Sequence, residues 1–299
     1  MKWRDVRERG SLGGMLLTVT LYRFLGRWAA EPVLWAIAAY FFLTDGRLQA
    51  FSLAYLRRLH AGGALAQSPG RRDVYRHYLS FAQTSLERFD VWTDRLDDYA
   101  FHYHGEEHIL RLLDAGRGAL LIGAHMGNFD TLRALAKRRG VRVHILTDRR
   151  NSQKFSAILK RFCPGMGEGL VEYDSASIAT VFELKCAIER GELVGLLADR
   201  VAGENARSAR RVSPALFLGD PAYFPQAPWI FAQNLECPVL LLFGLRRARR
   251  VYDLHVEPFA ERIEGTERAM AAYAARLEHY CRRYPLQWFN FYDFWRAQP

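Results

Sequence analysis

The chain lacks the cysteine patterns that mark zinc sites and disulfide frameworks. Its four cysteines are far apart in the sequence, and none has a C-x-x-C partner or a histidine pair at ligand spacing. Structural zinc sites and disulfide-rich folds depend on such organised spacings. We therefore expect reduced thiols that pack as small core residues, and we expect no metal cofactor. The cysteines are Cys163, Cys186, Cys237 and Cys281.

Near its amino terminus the chain also lacks an uncharged run long enough to cross a membrane. Gly10–Tyr22 and Pro32–Thr44 are uncharged runs of thirteen residues each. As helices they would measure roughly 20 Å, against a hydrocarbon core of roughly 30 Å. Arginine and tryptophan residues crowd the ends of both runs, as expected at an anionic cytoplasmic membrane surface. We predict that residues 1–70 are a helical, membrane-associating segment; the alternative is two ordinary core helices.

Lysine is scarce. Only five of the 42 basic residues are lysines, so 37 are arginines, and the net charge is +10. The planar guanidinium group binds phosphate and carboxylate through paired hydrogen bonds. An anionic partner is expected, such as a lipid head group, the phosphopantetheine arm of a carrier protein or coenzyme A, unless the bias reflects codon usage alone. No helix-turn-helix, zinc or RNA-binding signature accompanies the charge, so nucleic acid is not expected.

No proline- or serine-rich linker divides the remainder, and with 50% hydrophobic residues the chain can bury one sizeable core. We expect a single catalytic domain over residues 71–299. The apolar run Val239–Phe243 is typical of a strand buried on both faces.

Strand-like and helix-like patterns alternate along this domain. Such alternation predicts an α/β fold with a mixed, mostly parallel central sheet flanked by helices. The predicted strands are residues 99–103, 119–124, 141–146, 170–173, 193–198, 238–245 and 251–256. The predicted helices are residues 71–92, 106–113, 129–138, 152–162, 176–189, 226–234 and 266–283.

A histidine and a carboxylate stand at one predicted strand-to-helix corner. His125 and Asp130 follow the apolar run 119–124, whereas the second His-x4-acid pair, His102 and Glu107, follows no such run. A histidine can take a proton from a hydroxyl when a carboxylate orients its ring and stabilises the cation. The alternatives are a buried structural histidine and a first-turn carboxylate favoured by the helix dipole.

The stretch 120–130 resembles the first motif of the lysophospholipid acyltransferase superfamily, in which His-x4-Asp or Glu deprotonates an acceptor hydroxyl. Further blocks are similar to those of the late lipid A acyltransferase branch, so that the resemblance covers roughly residues 70–299. These blocks are Asp148–Asn151, Gly195–Arg200, Phe217–Gly219 with Pro238–Phe243, and Pro285–Phe289.

The resemblance implies a glycerolipid acyltransferase-like fold and an enzyme of a bacterial cytoplasmic membrane. It implies transfer of an acyl group from a thioester of acyl carrier protein or coenzyme A to a hydroxyl or amine of a lipid or glycolipid, without a cofactor. His125 would be the base and Asp130 its assistant. The backbone N–H groups around Gly127 and Asn128 would meet the charge that develops on the thioester oxygen, although Asn128 is equally placed to cap a helix.

Four further residues follow predicted strands and are expected to bind substrate. Arg149 and Arg150 follow one strand, and Asp199 and Arg200 follow another, at the edge where open α/β sheets bind ligands. The lipid A branch usually has Asp-Gln where this chain has Asp199 and Arg200.

Two competing functions remain open at this point. One is acylation of lysophosphatidic acid, against which stands the misplaced glycerolipid block Glu264-Gly265-Thr266, because it follows the long apolar strand instead of preceding it. The other is a lipid-binding or carrier-docking subunit that keeps the fold without turnover.

Overall fold

The computed structural model describes residues 12–93, 95–132, 136, 140–147, 170–172, 178–200 and 212–296. The helices are α1 (Leu12–Leu25), α2 (Arg27–Thr44), α3 (Gly46–Ala61), α4 (Arg71–Trp92), α5 (Glu106–Asp114), α6 (Ile178–Glu189), α7 (Ala227–Leu235) and α8 (Thr266–Arg283). The strands are β1 (Ala100–His104), β2 (Ala119–Gly123), β3 (Val143–Thr147), β4 (Leu170–Glu172), β5 (Leu193–Leu197), β6 (Val212–Phe217), β7 (Asp220–Pro225), β8 (Val239–Ala248) and β9 (Val251–Ala260).

The described part of the first uncharged run, residues 12–22, is helical in α1, and the second run lies in α2; a further helix, α3, follows them. The Asp45 side chain accepts a hydrogen bond from the backbone N–H of Leu48 at 3.2 Å and so caps the start of α3. Large apolar side chains of α1 and α2 remain exposed, among them Phe24, Trp28 and Leu43. No helix in the described part of the chain is both long and apolar enough to cross a membrane.

Helix α4 joins this amino-terminal segment to the rest of the molecule. Leu86 and Phe89 on α4 pack with Tyr22, Ala30 and Leu34 of α1 and α2 in one buried cluster. The other side of α4 carries buried polar residues that contact the sheet. Glu87 is fully buried, accepts a hydrogen bond from the Tyr252 hydroxyl at 2.5 Å and lies 3.2 Å from the Arg246 guanidinium.

Seven strands form the central sheet in the order β1-β9-β8-β2-β5-β3-β4. Every neighbouring pair is parallel except β8 and β9, which form an antiparallel hairpin. The predicted α/β class with a mixed, mostly parallel sheet is confirmed. The run predicted as a buried strand begins β8, an interior strand beside β2.

The sheet is buried on both faces because its interior strands are apolar throughout. Leu120 and Ile122 of β2 face a large core that includes Tyr273 and Leu277 of α8. Leu121, between them, faces a second core with Ile109 of α5. Full burial of one leucine side chain contributes about 1.5–3 kcal/mol, so β2 is fixed firmly in the middle of the sheet.

A hairpin of β6 and β7 was absent from the predicted strands. Its turn residues Leu218 and Gly219 both have positive φ, at 53° and 88°. The usual turn signal is Asn-Gly or Asp-Gly, and prolines within both strands weaken the strand pattern further. The left-handed Leu218 is stabilised by its backbone N–H, which donates to a Glu278 carboxylate oxygen of α8 at 2.5 Å.

Two glycines let the chain after β2 cross closely over β8. Gly127 has φ of +57°, and a Cβ atom there would overlap the carbonyl oxygen of Gly244. A Cβ atom at Gly244 would in turn overlap the Thr131 hydroxyl and the Asn128 carbonyl oxygen. The backbone N–H of Asn128 donates to the Gly244 carbonyl at 2.7 Å. This close crossing fixes the position of residues 125–130 relative to β8.

We predict that Gly244→Ala lowers the free energy of unfolding by about 1–3 kcal/mol, because the added methyl group meets backbone and a buried hydroxyl that have little room to move. Denaturant unfolding followed by circular dichroism measures the change. Gly46→Ala is the matched control, since a Cβ at Gly46 has nothing within 4 Å. Equal stability of the two variants would contradict the crossing described here.

Candidate functional site

The site is formed where parallel strands β2 and β5 end side by side. Gly123, the last residue of β2, pairs with Leu197, the last residue of β5. The backbone N–H of Ala198 also donates to the Gly123 carbonyl at 3.0 Å. His125 and Asp199 each follow two residues after these strand ends. The register of two buried strands therefore brings the two side chains together.

A buried carboxylate holds the His125 ring. The distance between His125 Nδ1 and Asp199 Oδ1 is 2.7 Å, and the backbone N–H of His125 lies 3.0 Å from both oxygens of the same carboxylate. Asp199 is fully buried, while 32% of the His125 side chain is exposed. The carboxylate thus fixes the orientation of the imidazole from its buried side. A substrate can still reach the exposed part of the ring.

The surroundings keep Asp199 ionised. Burial alone would raise the pKa of its carboxyl group, but the attraction of His125 and Arg200, together with a hydrogen bond from Trp288, lowers that pKa to about 2. The Trp288 indole N–H donates to Asp199 Oδ2 at 2.9 Å. Because an ionised carboxylate only accepts hydrogen bonds, the bond to Nδ1 is donated by the imidazole.

The same surroundings keep His125 neutral at neutral pH. Burial and the nearby charge of Arg200 lower the pKa of the imidazole, although Asp199 opposes that shift. With Nδ1–H directed at Asp199, the other ring nitrogen, Nε2, is the proton acceptor. The arrangement is suited to a base whose cation is stabilised by a permanent negative charge.

The carboxy-terminal segment is built into this corner. The backbone N–H of Gly127 donates to the Gln287 carbonyl, and the backbone N–H of Phe289 donates to the His125 carbonyl, both at 2.8 Å. Met126 and Trp288 pair between them as in an antiparallel ladder. Residues 287–289, here called the carboxy-terminal strap, therefore hold the backbone on both sides of Met126.

The strap is itself anchored to β8 and α4. The Gln287 side chain accepts from the backbone N–H of Arg246 at 2.8 Å and donates to its carbonyl at 2.6 Å. His77 of α4 is fully buried, and its Nε2–H donates to the Trp288 carbonyl at 2.9 Å. Its Nδ1 is 2.9 Å from the Ser52 hydroxyl, and burial lowers the pKa of His77 to about 4.

Sequence reasoning linked the block Pro285–Phe289 to a family pattern but assigned it no contact with His125. The glutamine and tryptophan of that block were the available signal, because buried Gln and Trp side chains need hydrogen-bond partners. The positions of those partners depend on how a distant part of the chain packs.

The orienting role predicted for Asp130 is corrected by the structure, which places Asp199 at Nδ1 of His125. Asp130 Oδ2 accepts a hydrogen bond from Arg88 Nε of α4 at 2.6 Å. The backbone N–H of Asp130 donates to Asn128 Oδ1 at 3.2 Å. The carboxylate therefore fixes the chain after His125 to α4. The reason is the register of the sheet: Asp199 follows β5, which ends beside β2, whereas Asp130 is bound by Arg88 of α4.

The oxyanion role predicted for the backbone N–H groups of Gly127 and Asn128 is also corrected. Both groups already donate within the protein, to Gln287 and Gly244 respectively. Asn128 is fully buried. Their backbone N–H groups are therefore used within the protein, where they shape the corner.

Arg200 follows Asp199, as predicted, but its guanidinium is directed into the protein. Its Nη2 group donates to the Phe289 carbonyl of the strap, and burial lowers the pKa of the side chain. Its charge contributes to the low pKa of Asp199. Predicted as substrate-binding residues, Asp199 and Arg200 instead contact His125 and the strap.

Arg149 and Arg150 lie outside the described residues. Strand β3, which ends at Thr147, is parallel to β5 and so ends towards the same edge as β2.

A family model described as bacterial lipid A biosynthesis acyltransferase matches residues 71–297. No curated protein matches the chain.

We predict that Asp199→Asn lowers the pKa of the His125 imidazole further, since the substitution removes the negative charge that favours the imidazolium. NMR-detected titration of the ring measures the shift. Asp130→Asn is the matched control and should change the imidazole pKa less, because the Asp130 carboxylate is bound to Arg88. An equal effect of the two substitutions would show that Asp199 is not the principal partner of the ring.

Proposed function

Since the chain belongs to the bacterial lipid A biosynthesis acyltransferase family and is therefore an acyltransferase that acts on lipid, we propose that His125 is its general base. The acyl donor is a thioester of acyl carrier protein or coenzyme A, and the acceptor is a hydroxyl or amine of a lipid or glycolipid. The observation that carries this proposal is the pairing of His125 with the buried, ionised Asp199 at the carboxyl end of two parallel strands.

The reaction follows from the protonation states. The neutral imidazole of His125 takes the proton of the acceptor hydroxyl at Nε2 while the acceptor oxygen attacks the thioester carbonyl carbon. The carbon–sulfur bond then breaks, and the thiolate receives the proton from the imidazolium, which gives the ester and a free thiol. The ionised Asp199 stabilises the imidazolium between these two proton transfers.

Asp130 supports the base indirectly by fixing the chain that follows it. Its ion pair with Arg88 ties Asp130 to α4, and the strap holds residues 125–127, which precede it. Arg149 and Arg150 are proposed to bind a phosphate or carboxylate of the donor or acceptor, because they follow a strand that ends towards the same edge.

The competing functions have less support. Family membership identifies an enzyme, which argues against a subunit without turnover. The block Glu264-Gly265-Thr266 follows the end of β9, and Ala260 at that end pairs with Val239 at the start of β8. The block therefore lies towards the sheet edge opposite His125, where it would not contact a lysophosphatidic acid bound at the base.

We predict that His125→Ala lowers kcat by about 10²–10⁴-fold, the usual contribution of a general base. Asp199→Asn should lower kcat by a factor in the same range, since it removes both the orientation of the ring and the stabilising charge. Asp130→Asn should lower kcat by a smaller factor. Release of free thiol from acyl carrier protein or coenzyme A thioesters measures turnover. His102→Ala, in the other His-x4-acid pair, is the control. Near wild-type turnover by a folded His125→Ala protein would refute the mechanism.

The proposed site of action is the cytoplasmic face of the bacterial cytoplasmic membrane. Phe24 and Trp28 are 77% and 74% exposed and lie close together in the chain at the junction of α1 and α2. Large exposed aromatic side chains flanked by arginine suit the interface between head groups and acyl chains. The arginines supply attraction to anionic lipid, and the aromatic rings supply an apolar contribution.

We predict partial release from membranes by high salt and complete release by detergent, because salt screens the arginine charges beyond about 10 Å at 0.1 M but leaves apolar contacts intact. The double variant Phe24→Ser and Trp28→Ser should bind anionic liposomes about tenfold less tightly in a sedimentation assay. Phe182→Ser with Leu216→Ser is the control, because those side chains are 67% and 70% exposed on other elements. Equal losses in the two double variants would argue against this surface.

A further inference from the structure

The pairing of β1 with β9 places two histidines and an aspartate together, away from the His125 corner. His104 pairs in register with His255, and Asp253 lies two residues before His255 on the same face of β9. Strand β8 separates β9 from β2, the strand that leads to His125. No step of the proposed acyl transfer uses this cluster.

The donor atoms of the cluster are spaced as metal ligands are. One ring nitrogen of each histidine and one Asp253 oxygen all lie within 4.8 Å of one another. His104 Nε2 is 3.4 Å from Asp253 Oδ1. Two ligands bonded to one tetrahedral zinc ion at about 2.0–2.1 Å are separated by about 3.4 Å. That distance is long for a charge-assisted hydrogen bond but suits two ligands that share an ion.

The two buried residues of the cluster, His255 and Asp253, each have one atom placed to bind an ion. His255 is 7% exposed, and in the described part of the chain its Nε2 atom is buried without a hydrogen-bond partner. The Tyr284 hydroxyl donates to Asp253 Oδ2 at 2.9 Å, which fixes the carboxylate and leaves Oδ1 towards His104. Metal-bound carboxylates are commonly held by such a second hydrogen bond.

The His104 and His255 rings are stacked, with centroids 4.5 Å apart and an angle of 11° between their planes, so the His104 ring must turn for both nitrogen lone pairs to meet at one ion. The His104 side chain is 49% exposed and opens the cluster to solvent. The Arg247 guanidinium, 3.8 Å from Asp253 Oδ1, is 63% exposed and free to move outward as an ion enters.

We propose that His104, Asp253 and His255 form a binding site for a divalent transition-metal ion of the zinc class, with water in the remaining position. Nitrogen and carboxylate ligands suit zinc and cobalt more than calcium or magnesium, which prefer oxygen alone. Strand β1 lies at the edge of the sheet. A bound ion would tie it to β9 and, through Tyr284, to the end of α8.

Titration of the metal-free, full-length protein with Co²⁺ and Zn²⁺ tests this site. We expect one equivalent of Co²⁺ to give the visible absorption of a low-coordinate ion, and Zn²⁺ to displace it. His104→Ala should weaken binding by about tenfold or more, and it should remove the rise in melting temperature that Zn²⁺ produces in the wild type. Because His104 is half exposed, this variant is expected to fold.

His102→Ala is the matched control, since His102 lies two residues before His104 on the same face of β1 and is outside the cluster. Asp253→Asn should weaken metal binding and remove the thermal stabilisation in the same way as His104→Ala. Absence of binding by the wild type at micromolar metal would overturn the proposal. So would equal affinity in wild type and His104→Ala, which would place the ion elsewhere, for example on a free cysteine. Acyl transfer by the His104→Ala variant reports separately on the proposed function.

Discussion

The hydrogen bonds to one buried carboxylate, Asp199, are the constraint on which the site depends. An ionised carboxylate inside a protein costs several kcal/mol unless charges and donors surround it. Here the backbone and ring of His125 and the indole of Trp288 donate to it. The Tyr292 hydroxyl also donates to the backbone carbonyl of Asp199, at 3.5 Å. Two strand ends and the carboxy-terminal strap must therefore meet around this group.

Much of the fold could be predicted from the sequence because its signals are local. The apolar runs of β2, β5 and β8 identify buried strands without knowledge of their neighbours, and alternation with helices gives the parallel sheet. The hairpin of β6 and β7 could not, because Leu218 has a left-handed conformation that no usual turn residue signals. Tertiary support from Glu278 stabilises that turn.

The site shows the same division between local and distant information. His125 was identified from its position after a buried strand. Its partner was expected five residues later, at Asp130, because spacing along the chain is all that a motif records. The true neighbour, Asp199, is 74 residues away and is determined by the register of β2 with β5. The carbonyl groups that accept from the N–H groups of Gly127 and Asn128, at Gln287 and Gly244, are still farther away along the chain.

The strap has a consequence for the life of the protein on the ribosome. His125, Asp199 and the helices α1 and α2 all emerge before Gln287 and Trp288, since synthesis runs from the amino terminus. Until those last residues dock, the backbone around Met126 lacks its partner and Asp199 lacks the indole N–H. The corner that holds His125 and Asp199 is therefore incomplete in a nascent chain until the strap has been translated and has docked.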